Sequence, residues 1–513
     1  MEDKTENTKR IAKNTMMLYI RMLFGMLVSL YTSRLILQTL GVEDYGIYNV
    51  VGGFVAMFSL ISNSLSSSVS RFLTFELGRG NLENLKRVFS TSLLIHLGLA
   101  LVVLILAESI GLWFLNTRMT IPDNRLYAAN WVFQAAIFSF MFSLVSVPYN
   151  ASIVSHEKMT AFAYIGIIDI LMCLGVVLIA SHGISGFDTL ILFSVLRVLV
   201  SVFLQCLYLA YCYLNFEECR FHVFWDKKYW REMSGFAGWN FIGCTAGVLK
   251  EQGVNILLNI FIGPVVNAAR GIANSVNTAV GSFVGNFMVA LNPQIIKSYA
   301  SGDYTYMFSL INRAARFSFY ILLILALPIL FEAEFILGLW LKEYPQHTVN
   351  FVRLILLLTM LDVLSTPLIT LQMATGKIRD YQIAVGGMLL MNFPLSYLCL
   401  YLGYNPESTY IVGIFVSICC LLLRLFFLKK MTGLSIRQFL FGVCLNVAMV
   451  SLLSVIIPSF LYFSLDEGWI RFILVSLVCV INSSFFIYKK GCSLNERSFV
   501  KNKMLQTIHK FFG

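Results

Sequence analysis

The stretch Trp239–Pro293 reads WNFIGCTAGVLKEQGVNILLNIFIGPVVNAARGIANSVNTAVGSFVGNFMVALNP. Two helices of spanning length meet in it at Gly263-Pro264, and between them they carry Lys250, Glu251, Arg270 and a run of asparagines. At the centre of a spanning helix one Lys, Arg or Asp costs roughly 2.5–3.5 kcal/mol on insertion scales. Lys250 lies about 16 residues from Ser234, roughly 24 Å at a rise of 1.5 Å per residue, and about 12 residues, roughly 18 Å, from Gly263. A lysine stem reaches only a fraction of either distance, so its ammonium stays at depth. Glu251 is its neighbour in sequence, and adjacent residues of a helix do not face each other. Two readings stay open for Lys250: a water-filled interior, or a structural ion pair with a partner helix.

In the second helix Asn267, Arg270, Asn274, Asn277 and Gly281 recur at i, i+3, i+7, i+10 and i+14, one polar stripe opposite Val, Ile, Ala and Phe. The stripe reads as a cavity wall, with Arg270 its strongest argument. Small polar residues also join membrane helices to one another, and that reading stays beside the first.

The rest of the 513 residues agrees with a membrane setting. The chain is 58% hydrophobic, has mean hydropathy +0.77 and is only 13% charged, which excludes a soluble globular protein. Its net charge of +11 does not call for nucleic acid, because Lys and Arg sit mainly in short connections between apolar runs. No P-loop, HExxH or paired CxxC occurs, and the eleven cysteines fall mostly inside apolar segments, so no ATPase site, metal site or disulfide framework is expected. The polar start MEDKTENTKRIAKN precedes an apolar run without a small-residue cleavage site, as in an uncleaved signal anchor.

Hydropathy predicts an all-α polytopic protein of about fourteen spans, over 15–38, 45–70, 88–115, 125–150, 160–181, 188–212, 234–262, 265–290, 314–337, 351–375, 380–402, 408–428, 437–462 and 468–488. Alternate connections are basic: Arg71, Arg79, Lys86 and Arg87; Lys158; Arg220, Lys227, Lys228 and Arg231; Lys297 and Arg313; Lys377 and Arg379; Lys429, Lys430 and Arg437. The others are nearly bare, with Arg118, Arg125, Lys342 and Arg471 as exceptions. The positive-inside rule then places the basic set and both termini in the cytoplasm.

A gap-free shift of 222 residues lays Gly25 on Gly247, Gly41 on Gly263 and Gly80 on Gly302, and LGRGN (77–81) on YASGD (299–303). The reading is a parallel duplication: an N-lobe over 1–212, an interfacial linker over 213–233, a C-lobe over 234–430, appended helices over 431–488, and a basic amphipathic tail over 489–513.

With SRLILQTLGVEDYGIYNVVGG (33–53), RFLTFELGRGN (71–81) and NIFIGPVVNAARGIAN (259–274), the sequence resembles the polysaccharide flippases, the Wzx-type O-antigen and capsule exporters of the multidrug/oligosaccharidyl-lipid/polysaccharide (MOP) superfamily. The resemblance implies a MATE-like bundle of two six-helix lobes in parallel pseudo-twofold repeat plus two C-terminal helices. It also implies a substrate, an undecaprenyl-pyrophosphate-linked oligosaccharide carried across the bacterial inner membrane, and a cationic cavity for its pyrophosphate. Carried onto this chain, that cavity falls to Arg21, Arg34, Lys250 and Arg270, with Asn267, Asn274 and Asn277 as its polar stripe. Glu251 is a departure from a purely cationic wall. Arg21 and Arg34 stand near opposite ends of the first span, where snorkelling explains them equally well.

Tyr45, Tyr48 and Asn49 read as a gate or sugar-contacting rim. Asp169 and Asp362, at mid-membrane, join Glu251 as candidate carboxylates for coupling to H+ or Na+, with a salt bridge to Arg197 as the alternative. Ser365-Thr366-Pro367 predicts a kink after Asp362. No cofactor is expected. Expected partners are the lipid-linked oligosaccharide, membrane lipids and other polysaccharide-assembly membrane proteins. A cation-coupled drug exporter of the same superfamily is the nearest rival, although it would want an acidic, aromatic cavity. A membrane glycosyltransferase would need a base or metal-binding carboxylates on a sizeable external loop, and every external connection here is short, so the chain reads as no enzyme.

Overall fold

The computed structural model describes residues 2–56, 59–117, 121–182, 187–220, 225–341, 343–494 and 496–498. Among these no strand occurs. A chain in hydrocarbon must satisfy its backbone polar groups within each segment, and helices do so. In order they are α1 (Glu2–Ala56), α2 (Ser59–Arg79), α3 (Leu82–Leu106), α4 (Leu112–Thr117), α5 (Leu126–Ser155), α6 (Met159–His182), α7 (Thr189–Asn215), α8 (Lys227–Phe261), α9 (Pro264–Ala300) and α10 (Tyr304–Leu341). There follow α11 (Thr348–Thr375), α12 (Arg379–Leu390), α13 (Asn392–Tyr401), α14 (Ser408–Thr432), α15 (Ile436–Phe439), α16 (Leu445–Ser464) and α17 (Trp469–Phe486).

Among the described residues twelve helical stretches are long and apolar enough to cross a membrane. The expected spans over 45–70 and 234–262 are helical but fall outside the twelve. One holds Asn63 and seven serines from 59 to 70 and includes residues 57–58, which lie outside the described residues; the other holds Lys250, Glu251, Gln252 and Asn255. α11 stays helical through Pro367. A break occurs in α10 at Glu332 (φ −100°, ψ 26°), four residues after Pro328. The apolar face expected in the tail, on Val500, Met504, Ile508 and Phe511, lies outside the described residues.

The chain packs as two compact units, one of residues 1–244 with 289–302, the other of 245–288 with 303–513. The division runs through α8 and α9. In the first unit Val132, Phe133, Leu190 and Phe193 form a core, all 1% exposed or less. In the second, Leu327 packs on Val475 and Cys479, joining α10 to α17.

The 222-residue repeat shows in the backbone. Gly41 and Gly263 both have positive φ, 76° and 115°, and so do Gly80 and Gly302, 70° and 78°. Gly41 breaks α1, Gly263 separates α8 from α9, and Gly80 and Gly302 follow the ends of α2 and α9. Left-handed backbone of this kind favours glycine after a helix. One residue further on, the two halves cap the next helix alike. Asn81 accepts from the Asn84 N–H at 3.0 Å, and Asp303 from the Tyr306 N–H at 3.0 Å.

Two exceptions to the charge pattern are neutralised within their own unit. Arg125 donates to Asp188 at 2.6 Å and also to Asp44. Arg471 forks onto Glu332, which is 1% exposed, at 3.1 and 3.2 Å. Neither cation is a free topology signal.

Candidate functional site

In the second unit α8, α9, α11 and α14 bring the polar residues of the decisive stretch together. Arg270 is 6% exposed, and its guanidinium carbon lies 5.4 Å from the centre of the Tyr410 ring. Its Nε is buried without a hydrogen-bond acceptor, and no ion pair to it forms among the described residues. Burying a cation in this way costs several kcal/mol unless a partner arrives. The charge of Glu251 also reaches the Tyr410 hydroxyl.

Lys250 is half-buried and lies near Cys420 on α14, together with Arg424 and Asp362. Arg424 is 7% exposed and donates from Nε to the Tyr381 hydroxyl at 3.1 Å. Asp362 accepts from the Ser417 hydroxyl. Among the described residues neither Lys250 nor Asp362 forms an ion pair. Arg270 and Glu251 thus act on Tyr410, and Lys250, Arg424 and Asp362 on Cys420, ten residues or about 15 Å further along α14; none of the five is in a bridge with another. Either group can hold an anion through charge-assisted hydrogen bonds without first breaking a salt bridge.

The stripe on α9 is not a solvent face. Arg270 is buried, Asn267, Asn274 and Asn277 are half-buried, and the exposed line of the helix is Gly271, Ser275, Thr278 and Gly285. Asn277 accepts from the Thr359 hydroxyl at 2.7 Å, which ties α9 to α11. The Asn267 side-chain oxygen is buried without a donor among the described residues. Asn277 therefore does the joining work of small polar residues in membranes, while Asn267 and Arg270 keep unfilled hydrogen-bonding capacity.

The residues expected on the first unit are placed otherwise. Arg21 lies over the Phe162 ring at 4.5 Å, so close to Gly166 that a Cβ there would meet its guanidinium carbon at 2.8 Å. Tyr208 feels both Arg21 and Asp169, and among the described residues Arg197 bridges to neither aspartate. Tyr48 packs edge-on against Phe193, with ring centres 5.2 Å apart. The side chains of Arg34, Tyr45 and Asn49 lie outside the described residues.

The sequence reading missed Arg424, which stands one turn from Lys429 and Lys430 and passes for part of that basic connection. It also missed a hub at Glu157, in the turn between α5 and α6. Glu157 has positive φ (59°) and is 5% exposed. Its carboxylate accepts from Lys297 at 2.7 Å, Gln294 at 2.5 Å and Arg10 at 2.9 Å, while its carbonyl accepts from Asn14 at 3.2 Å.

Among the described residues, twelve apolar helices make the chain a multi-pass membrane protein. The profile of the polysaccharide biosynthesis protein family matches residues 8–302, and the chain belongs to that family. Among solved structures it is similar to MATE in complex with MaD3S, at 12% identity and TM-score 0.69, covering 83% of this chain and 97% of that one. It is similar to the MATE transporter ClbM in complex with Rb+, at 15% identity and TM-score 0.68, covering 84% and 97%. A MOP superfamily transporter from Pyrococcus furiosus, described as having a binding pocket of reverse polarity, matches at 12% identity and TM-score 0.68, covering 83% and 96%. At such identities the likeness is one of fold. No curated protein matches the sequence.

Proposed function

We propose that the protein is a flippase for lipid-linked oligosaccharide, carrying an undecaprenyl-pyrophosphate-linked repeat unit from the inner to the outer leaflet of the bacterial inner membrane by alternating access, with both termini cytoplasmic. The observation that supports this most is Arg270, buried, unbridged and with a free Nε, while Lys250 and Arg424 form a second cationic group around Cys420. Hydrocarbon cannot solvate a pyrophosphate, so cations held by the protein must. Arginine meets its oxygens through a planar fork and lysine as a point charge. On this reading the chain performs no bond-making chemistry.

The test is glycan export per unit of membrane-inserted protein in cells lacking the native copy. Lys250→Gln and Arg270→Gln should each lose at least tenfold while inserting normally, and Lys250→Arg should keep part of the rate. Wild-type export by both glutamine variants would refute the cationic site.

A second reading, a cation-coupled exporter of drugs or small solutes, is favoured by Asp362, a carboxylate inside the group around Cys420 that no cation bridges. Either reading admits coupling to H+ or Na+ through Asp362, Glu251 or Asp169. If Glu251 only balances Lys250, Glu251→Gln lowers abundance. If it couples, abundance holds and the dependence on pH or sodium changes.

A further inference from the structure

The two longest basic connections meet in the first unit. The end of α2 and the start of α8 enclose a cavity of about 280 Å³. Its floor is buried, with Arg71, Glu76 and Tyr229 each 8% exposed or less, and its mouth is formed by the exposed Arg79, Lys228 and Glu232. Phe75 is gripped between two cations: the Arg71 guanidinium lies 4.7 Å from its ring centre and that of Arg79 4.4 Å. Arg71 also lies 4.4 Å from the Phe72 ring.

Glu76 is the unfinished part of the arrangement. One of its oxygens accepts from the Tyr229 hydroxyl at 3.5 Å and lies 3.9 Å from Arg79. The other, Oε2, is buried without a donor among the described residues, although the residue is only 4% exposed. A buried carboxylate oxygen left without a donor is costly, and a donor brought into the cavity would relieve it.

The cavity thus presents three cations, Arg71, Arg79 and Lys228, against two carboxylates, Glu76 and Glu232. That balance suits a group with one negative charge and with hydroxyls close to it. A choline phosphate has no donor, and a phosphate monoester carries about −1.5 to −2 at pH 7 in place of a single charge. Trp225 and Trp230, both exposed, stand beside the mouth at the start of α8, where indoles mark headgroup depth. Basic pockets between helices at that depth hold lipid headgroups.

We propose that this cavity binds a hydroxylated phosphodiester, the chemistry of a phosphatidylglycerol headgroup, with Arg79 and Lys228 on the phosphate and Glu76 accepting from a hydroxyl. The proposal does not depend on what the protein transports.

The test titrates purified full-length protein with short-chain phosphatidylglycerol, phosphatidylcholine and phosphatidic acid, and with free glycerophosphoglycerol. Binding is read by native mass spectrometry and by thermal shift. Phosphatidylglycerol should bind at one site at least tenfold tighter than phosphatidylcholine. The paired Arg79→Gln, Lys228→Gln variant should lose that tenfold. Both side chains are exposed, so this variant carries the test even where Glu76→Gln fails to fold. Glu76→Gln should erase the preference for phosphatidylglycerol over phosphatidic acid while leaving phosphatidic acid bound. Equal binding of phosphatidylglycerol and phosphatidylcholine, or unchanged affinity in the paired variant, would overturn the proposal. Free glycerophosphoglycerol binding as tightly as the lipid would place the source in water and overturn the lipid assignment.

Discussion

A charge inside this chain is explained by what stands within one side-chain length of it. Arg125 and Arg471 are held by aspartates and a glutamate, Arg424 by a tyrosine hydroxyl, and Arg270 by a ring alone. Glu407, just ahead of α14, shows the same dependence outside the apolar segments. Burial by itself would raise its carboxyl pKa, but the His347 ring nitrogen at 2.7 Å and the Asn350 amide at 3.1 Å outweigh it and hold the carboxyl below its ordinary 4.5. A carboxyl with a lowered folded-state pKa stabilises the fold fully above its unfolded value. That contribution fades as the pH drops below about 4.5 and through the lower folded value. The thermal midpoint should therefore fall on acidification from pH 5 to pH 3, and less steeply in Glu407→Gln. Identical slopes for the two proteins would discard the assignment. Lys250 and Arg270 were legible because spacing along one helix is visible in sequence. The triad Asp44–Arg125–Asp188 was not, because its members lie 81 and 63 residues apart and no local pattern joins them.

Spans were legible as elements because a bilayer demands a length and a composition. Where elements touch was not, and α9 is the clearest case. Its far end is fastened in the first unit by the Glu157 hub, and it passes α2 at Gly78, where a Cβ would lie 2.8 Å from that of Ala300 and 2.9 Å from the Lys297 Cα. A glycine in a helix reads from sequence as a weak spot, whereas here it permits a close crossing. Removing one partner of a buried ion pair costs about 3–5 kcal/mol, and overpacking such a contact about 1–3 kcal/mol. Glu157→Gln and Gly78→Ala should each lower the thermal midpoint of the detergent-solubilised protein, Glu157→Gln by more. If both variants melt with the wild type, the end of α9 is not fastened there.

For the whole molecule, duplication was legible from glycines in register, and their positive φ at Gly41, Gly263, Gly80 and Gly302 supplies the reason they recur. The division between units was not legible, because nothing in a sequence marks a boundary that passes through the middle of a helix. Sidedness follows from the connections. Asn81 and Asp303 are repeat equivalents at one kind of connection, and Asn405 lies at the other. In a cysteine-free background, a cysteine at 405 should react with an impermeant thiol reagent added to intact cells. Cysteines at 81 and 303 should react only after the membrane is opened. Labelling at 81 or 303 from outside would reverse the topology.

That boundary through α8 and α9 has a consequence for synthesis on the ribosome. Residues 245–288 belong to the second unit, yet they are made before residues 289–302 complete the first. At about 5–20 residues per second, Glu157 waits many seconds with Arg10 before Gln294 and Lys297 emerge to join it. The first unit is not finished when residue 244 leaves the tunnel, because residues 289–302 are still to come. A chain stalled between the two would hold the Glu157 carboxylate with Arg10 alone, charge-balanced but lacking the hydrogen bonds from Gln294 and Lys297 that fasten the end of α9.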